Sequence, residues 1–116
     1  MTTETQTIMA ALETINKVEI QGRIGTIKIQ PVGDTSVARF TVATNEYYRN
    51  ADGESIIETT WHSVEAWQGN AIDTSALEKG TAVNVTGRIV NIKYTGADGQ
   101  TNYYSRIKAT KVKVLA

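Results

Sequence analysis

Apolar and polar residues alternate with a period of two through most of this chain, and that periodicity commits it to β structure. Val18, Ile20, Gly22 and Ile24 alternate with Glu19, Gln21 and Arg23. From Ser36 to Tyr48, one face takes Ala38, Phe40 and Val42, and the other takes Val37, Arg39 and Thr41. A third run, Ile56 to Trp67, puts His62, Val64 and Ala66 on one side and Trp61, Ser63, Glu65 and Trp67 on the other. A fourth spans about Thr81 to Tyr94, with Val83, Val85 and Ile89 inward, and a fifth runs from Asn102 to about Val114.

The breaks between runs are as informative as the runs. Asn50-Ala51-Asp52-Gly53 and Gly96-Ala97-Asp98-Gly99 carry Asp-Gly hairpin signals, and Pro31 to Asp34 reads as a turn. Gly22, Gly25 and Gly87 fall inside strands, where they mark bends or bulges. Gly69 to Gly80 reads as a short helical stretch, with Asp73 as N-cap and Gly80 as stop. Five long strands with one short helix between the third and fourth describe an all-β, five-stranded OB barrel. At 116 residues the chain holds one such domain, over 16–116. Residues 1–15 form an N-terminal extension: Ile8, Leu12 and Ile15 suit a short amphipathic helix or a tail that orders on a partner.

Composition narrows the chemistry. There is no cysteine and one histidine, His62, so thiolate metal sites, multi-His metal sites and cysteine nucleophiles are excluded. Neither a Gly-rich phosphate loop before a helix nor a paired-carboxylate motif is present, so the reading is a protein without catalysis, cofactor or metal. His62 points to the core side and reads as a hydrogen-bonded structural or interface residue. Nothing resembles a secretory signal or a run of about 18 apolar residues, which fits a cytoplasmic address. Lys+Arg and Asp+Glu are 12 each, yet the charges are segregated. Residues 1–80 carry six cations and eleven acids, and residues 81–116 carry six cations against Asp98 alone, giving −5 and +5. The basic segment is either a solvated pair of strands or a surface for a polyanion.

Several stretches, in their order and spacing, resemble the bacterial single-stranded DNA-binding protein family. They are Asn16-Lys17-Val18 with Gly22 and Gly25, the run Val37 to Thr44, Thr60-Trp61-His62-Ser63-Val64, Leu77-Glu78-Lys79-Gly80, Val83 to Ile89, and Lys93-Tyr94 leading to Asp98-Gly99-Gln100. The resemblance implies a nucleoid-associated protein that coats single-stranded DNA with little sequence preference in replication, recombination or repair. Its aromatic stacking positions fall on Tyr48, Trp61, Trp67 and Tyr94, and its phosphate and polar contacts on Lys17, Arg23, Arg49, Arg88 and Lys93. It further implies a homo-oligomer, either a tetramer of two dimers joined near the first strands or a dimer.

The residues themselves agree about the third strand, where an outward pair of tryptophans beside polar residues suits base stacking. The chain also departs from the family pattern. Val90 and Ile92 stand where basic residues are usual, Glu65 separates the two tryptophans, and Thr26 to Asp34 lacks the usual loop pattern. The sequence given ends at Ala116 without a Gly/Gln/Pro-rich linker and acidic tip, so recruitment of repair enzymes through such a tip is not expected. The contrasting reading is an OB interaction or scaffold module, a primosome-type dimer with weak or no affinity for single strands.

Overall fold

The computed structural model describes residues 13–115. Five strands, β1 (Val18–Val32), β2 (Thr35–Arg49), β3 (Ser55–Trp67), β4 (Ala82–Thr95) and β5 (Thr101–Val114), close into a barrel in the order β1-β2-β3-β5-β4. Neighbours are antiparallel except β3 and β5, which pair in parallel. The core is built from the inward side of the pleat: Ile24, Phe40, Val42, Val64, Val83 and Val85 are all buried. Of the N-terminal helical pattern, Ile8 and Leu12 lie outside the described residues; Ile15 is exposed and in no regular element.

This cylinder closes because β1 changes neighbours along its length, and it does so at Gly22. Its first part, Val18 to Arg23, pairs with β4, and from Arg23 onward it pairs with β2. A Cβ on Gly22 would sit 1.9 Å from the Ala43 carbonyl oxygen, so only glycine allows the strands to cross here. A bulge follows between Ile24 and Ile27, with Thr41 opposite, and Thr41 Oγ1 accepts the Thr26 N–H at 3.0 Å. Asn16 prolongs the β1–β4 ladder with its side chain, donating to the Ile89 carbonyl at 2.8 Å and accepting the Ile89 N–H at 2.9 Å.

Three expectations need correction. First, the stretch from Thr26 does not leave the sheet as a loop. β1 continues to Val32, paired with β2 down to Val32↔Thr35, and only Gly33 and Asp34 reverse the chain. The bulge resets the alternation, so Ile27 and Ile29 belong to the same strand in a shifted phase. Second, the helix between β3 and β4 shrinks to a 3-10 turn, Thr74–Ala76. Asp73 caps it as expected, accepting the Ser75 N–H at 3.1 Å, and Gly80 takes φ +88°. The flanking backbone is satisfied elsewhere: Gly69 bridges Ile72, and the Thr74 N–H goes to Gln68 Oε1 at 2.8 Å. Only Ile72, Thr74 and Leu77 are buried, too few to stabilise a longer helix by packing. Third, Ile89 is 48% exposed. It keeps the inward side of β4 opposite Ile107, but lies at the barrel mouth, beyond the last covered layer. Past this level the β2–β3 and β4–β5 hairpins continue as two projecting arms.

Candidate nucleic-acid interface

Alternation along β3 sends Trp61, Ser63, Glu65 and Trp67 to the outer surface of the barrel. Their cross-strand partners on β2 are Ala43, Thr41, Arg39 and Val37. Trp61 is 59% exposed. Its indole reaches across β2 to β1, where a Cβ on Gly25 would lie 2.3 Å from Trp61 Cζ3. Gly25 is thus the bare patch of backbone on which the ring is seated. Trp67, half-buried, donates its Nε1–H to Glu65 Oε1 at 3.0 Å.

Glu65 is surrounded by donors. Its Oε2 accepts from Arg106 Nη1 at 2.8 Å and Arg39 Nε at 3.3 Å. Partial burial pushes the carboxyl up. The hydrogen bonds from Trp67, Arg39 and Arg106 and the charge of Arg106 outweigh it, so the group titrates below its ordinary value.

The register extends this contact into a row around the barrel. Lys28 pairs with Arg39, Arg39 with Glu65, Glu65 with Lys108, and Lys108 with Arg88. One rung on each strand therefore points outward at the same level, with four cations and one anion, and tryptophans stand on either side of it along β3. Beyond the row, β4 carries Val90, Ile92 and Tyr94 on the same side, opposite Arg106, Tyr104 and Asn102. The cation missing at Val90 is supplied across the rung by Arg106. That guanidinium is braced by Tyr104: its Cζ lies 5.5 Å from the ring centroid, and Nη2 donates to the phenol oxygen at 3.2 Å.

The structure brings together Trp61, Trp67, Tyr94 and Arg88 on this outer side. Tyr48 is 46% exposed but pairs with Ile56, on the opposite side of the β2–β3 arm from the tryptophans; Tyr47, 63% exposed, shares their side. The Tyr47 phenol is drawn below its ordinary pKa by hydrogen bonds to Ser55 and then Arg49. Lys93 faces the other way from Tyr94, opposite Tyr103. Arg49 lies at the tip of the first arm, Lys17 just before β1, and Arg23 outward on β1 with Nη1 donating to the Gly80 carbonyl at 2.9 Å. Lys28, Arg39, Arg106 and Lys108 were not among the expected contacts, and Tyr47 ranked below Tyr48. Odd-numbered alternation in β2 signals Arg39 and Tyr47, whereas the cationic row depends on pairing between strands distant in sequence.

Between the arms lies a cleft of about 380 Å³. Val18 and Ile20 form its floor, Trp61, His62 and Ser63 one wall, and Ile89 with Ser105, Arg106 and Ile107 the other. His62 is half-buried, with Nε2 2.9 Å from Thr44 Oγ1, the structural role its inward position implied.

A five-stranded barrel that presents indoles and a rank of cations on its outer surface is an OB-fold protein with the surface chemistry of a nucleic-acid binder. The chain belongs to the single-strand binding protein family, which it matches over residues 15–115. The single-stranded DNA-binding protein of Neisseria meningitidis is 34% identical over 105 residues, covering 87% of this chain and 60% of that protein. That of Deinococcus radiodurans is 32% identical over 90 residues, covering 78% and 30%. The chain therefore spans about 60% of the Neisseria relative's length and less of the Deinococcus one. Among solved structures, the Plasmodium falciparum SSB complex with ssDNA superposes with a TM-score of 0.76 at 28% identity, covering 90% of this chain and 97% of that one. A deletion mutant of the Thermus aquaticus single-stranded DNA-binding protein superposes with a TM-score of 0.71 at 18% identity, a likeness of fold.

Proposed function

We propose that this chain binds single-stranded DNA without strong sequence preference, coating and protecting it during replication, recombination or repair. The observation that carries the reading is the outer face, where Trp61 and Trp67 flank the row Lys28–Arg39–Glu65–Lys108–Arg88. Indoles accept any base by stacking, at about 1–3 kcal/mol per base, and the cations follow the phosphates. Tyr94 extends the platform along the second arm. Tyr48, Lys17, Arg23, Arg49 and Lys93 contact the strand where it wraps the arms and the barrel rim. The solved relative whose complex contains ssDNA supports this assignment. Residues 16–116 are the binding domain and residues 1–15 an extension of it. The activity is binding, not catalysis, and its site is cytoplasmic DNA.

The binding unit is a homo-oligomer, a tetramer built from dimers. Among the described residues, β1 has a free edge over Val18–Gly22 on the β2 side and over Gly25–Val32 on the β4 side, Ile24 still bonding Thr81 and Gly80. Such edges favour pairing with a second copy across a two-fold axis. The test is a titration with oligo-dT, duplex DNA and poly-rU at two salt concentrations, read by tryptophan fluorescence. Quenching and tight binding by oligo-dT, with weak binding of duplex, is expected. Equal binding of duplex, or no response to oligo-dT, would overturn the proposal.

A further inference from the structure

A carboxylate in the middle of a surface built to hold polyanions demands an account. Glu65 is not a stray charge: three donors converge on it, Arg106 Nη1 at 2.8 Å and Arg39 Nε at 3.3 Å on one oxygen, and Trp67 Nε1 at 3.0 Å on the other. Both guanidiniums are also held from behind, Arg39 by Gln30 Oε1 at 3.4 Å and Arg106 by Tyr104. Two fixed guanidiniums and an N–H around one pair of anionic oxygens is the donor set that holds a phosphodiester.

We propose that Glu65 is a built-in competitor for the DNA backbone, its carboxylate occupying a phosphodiester subsite formed by Arg39, Arg106 and Trp67 Nε1. The inference rests on the single-strand-binding reading above. When a phosphate enters, the carboxylate must give way, and the Trp67 Nε1–H turns from the carboxylate to the phosphate in the same step. Phosphate capture and the setting of the indole for stacking are thereby coupled. While the subsite is empty, Glu65 keeps both arginines extended on the face and already neutralised, so fewer condensed counterions leave the strand on binding than the number of protein cations predicts. The carboxylate thus lowers affinity and flattens the salt response, favouring exchange along a strand over tight retention.

Glu65→Gln tests this, because the amide keeps the shape and can still accept from Trp67. Oligo-dT affinity at low salt should rise about three- to tenfold, the order expected for removing one unit charge some 5 Å from a phosphate in a largely aqueous environment. The log–log salt slope should steepen by roughly 0.7–1.4, one to two phosphates' worth. Glu58→Gln, on the same strand but the other side of the pleat, controls for net charge. Placing Glu65→Gln in an Arg39→Gln/Arg106→Gln background should abolish the gain. Melting curves confirm that each variant is folded. The inference is overturned if Glu65→Gln binds no more tightly at an unchanged slope. It is equally overturned if Glu58→Gln gives the same gain, or if the gain survives without the arginines. If the native chain binds no oligo-dT at all, the functional reading falls first and the inference with it.

Discussion

Trp61 stacks on a base only if its ring is held flat over the barrel, and Gly25 is what leaves room for it. In Gly25→Ala the new methyl carbon would lie 2.3 Å from Cζ3 and 2.9 Å from Cη2 of Trp61, with Thr41 Oγ1 at 3.0 Å on its other side. Ordinary contact begins near 3.4 Å, so the ring must retreat by about 1.1 Å. The backbone cannot supply that shift, because the bulge at Ile24/Ile27 fixes it against β2. The indole, the far end of an exposed side chain, swings instead. The fold should survive with a loss under about 1 kcal/mol, since the displaced group is at the surface. Stacking, worth about 1–3 kcal/mol per base, should be largely lost at this position, weakening oligo-dT binding roughly 5- to 150-fold. Fluorescence titration of Gly25→Ala, Trp61→Ala and the double variant forms a cycle: once Trp61 is absent, Gly25→Ala should cost nothing further. A Gly25→Ala protein with native affinity and native emission would refute the reasoning. So would an undiminished Gly25→Ala effect in the Trp61→Ala background.

Trp67→Ala should weaken oligo-dT binding by about 1–3 kcal/mol, measured by anisotropy of a labelled strand. Arg88→Ala, at the end of the cationic row, should reduce the log–log salt slope by about 0.7; an unaltered slope would move the phosphate path away from β4. Light scattering at micromolar concentration should give a multiple of the 12.7 kDa chain mass, and a monomeric mass would remove the edge-pairing argument. Because the folded Glu65 carboxyl titrates below its unfolded value near 4.5, its ion pairs contribute fully above that pH and are lost as pH falls through the lower folded value. Glu65→Gln should therefore melt earlier than the native chain at pH 7, by roughly 1 kcal/mol for a half-buried cluster that stays open to solvent through Arg39, and converge on it under acid.

Much of this architecture is legible in the sequence because antiparallel strands announce themselves locally. The pleat period placed His62, Val64 and Ala66 inward and the tryptophans outward, and the Asp-Gly pairs located two reversals. What escaped was set by relations between distant strands. Ile89 obeys its period, yet its exposure depends on where the other strands stop covering the core. The bulge after Gly25 shifts the phase of Ile27 and Ile29, so a single strand reads as a strand followed by a loop. The cationic row needs the parallel register of β3 on β5, which no local pattern encodes. Tyr48 shows the converse: the family resemblance puts it on the platform, whereas strand parity groups it with His62 and favours Tyr47 beside the tryptophans.

Closure of the barrel depends on very little. β3 meets β5 through Val64↔Ile107 and Glu65↔Lys108, two rungs against thirteen between β2 and β3. A parallel contact so short is the weakest joint in the cylinder. Its amide protons should exchange with solvent ahead of equally buried neighbours. When that joint opens, the two long hairpins part as separate ribbons, still tethered through β1. Each carries half of the outer surface, Trp61 and Trp67 on one and Arg106 and Tyr94 on the other. A strand lying across the joint would bridge the ribbons and clasp the cylinder shut, so that ligand occupancy would register as slowed amide exchange at Val64 and Ile107, deep beneath the surface it touches.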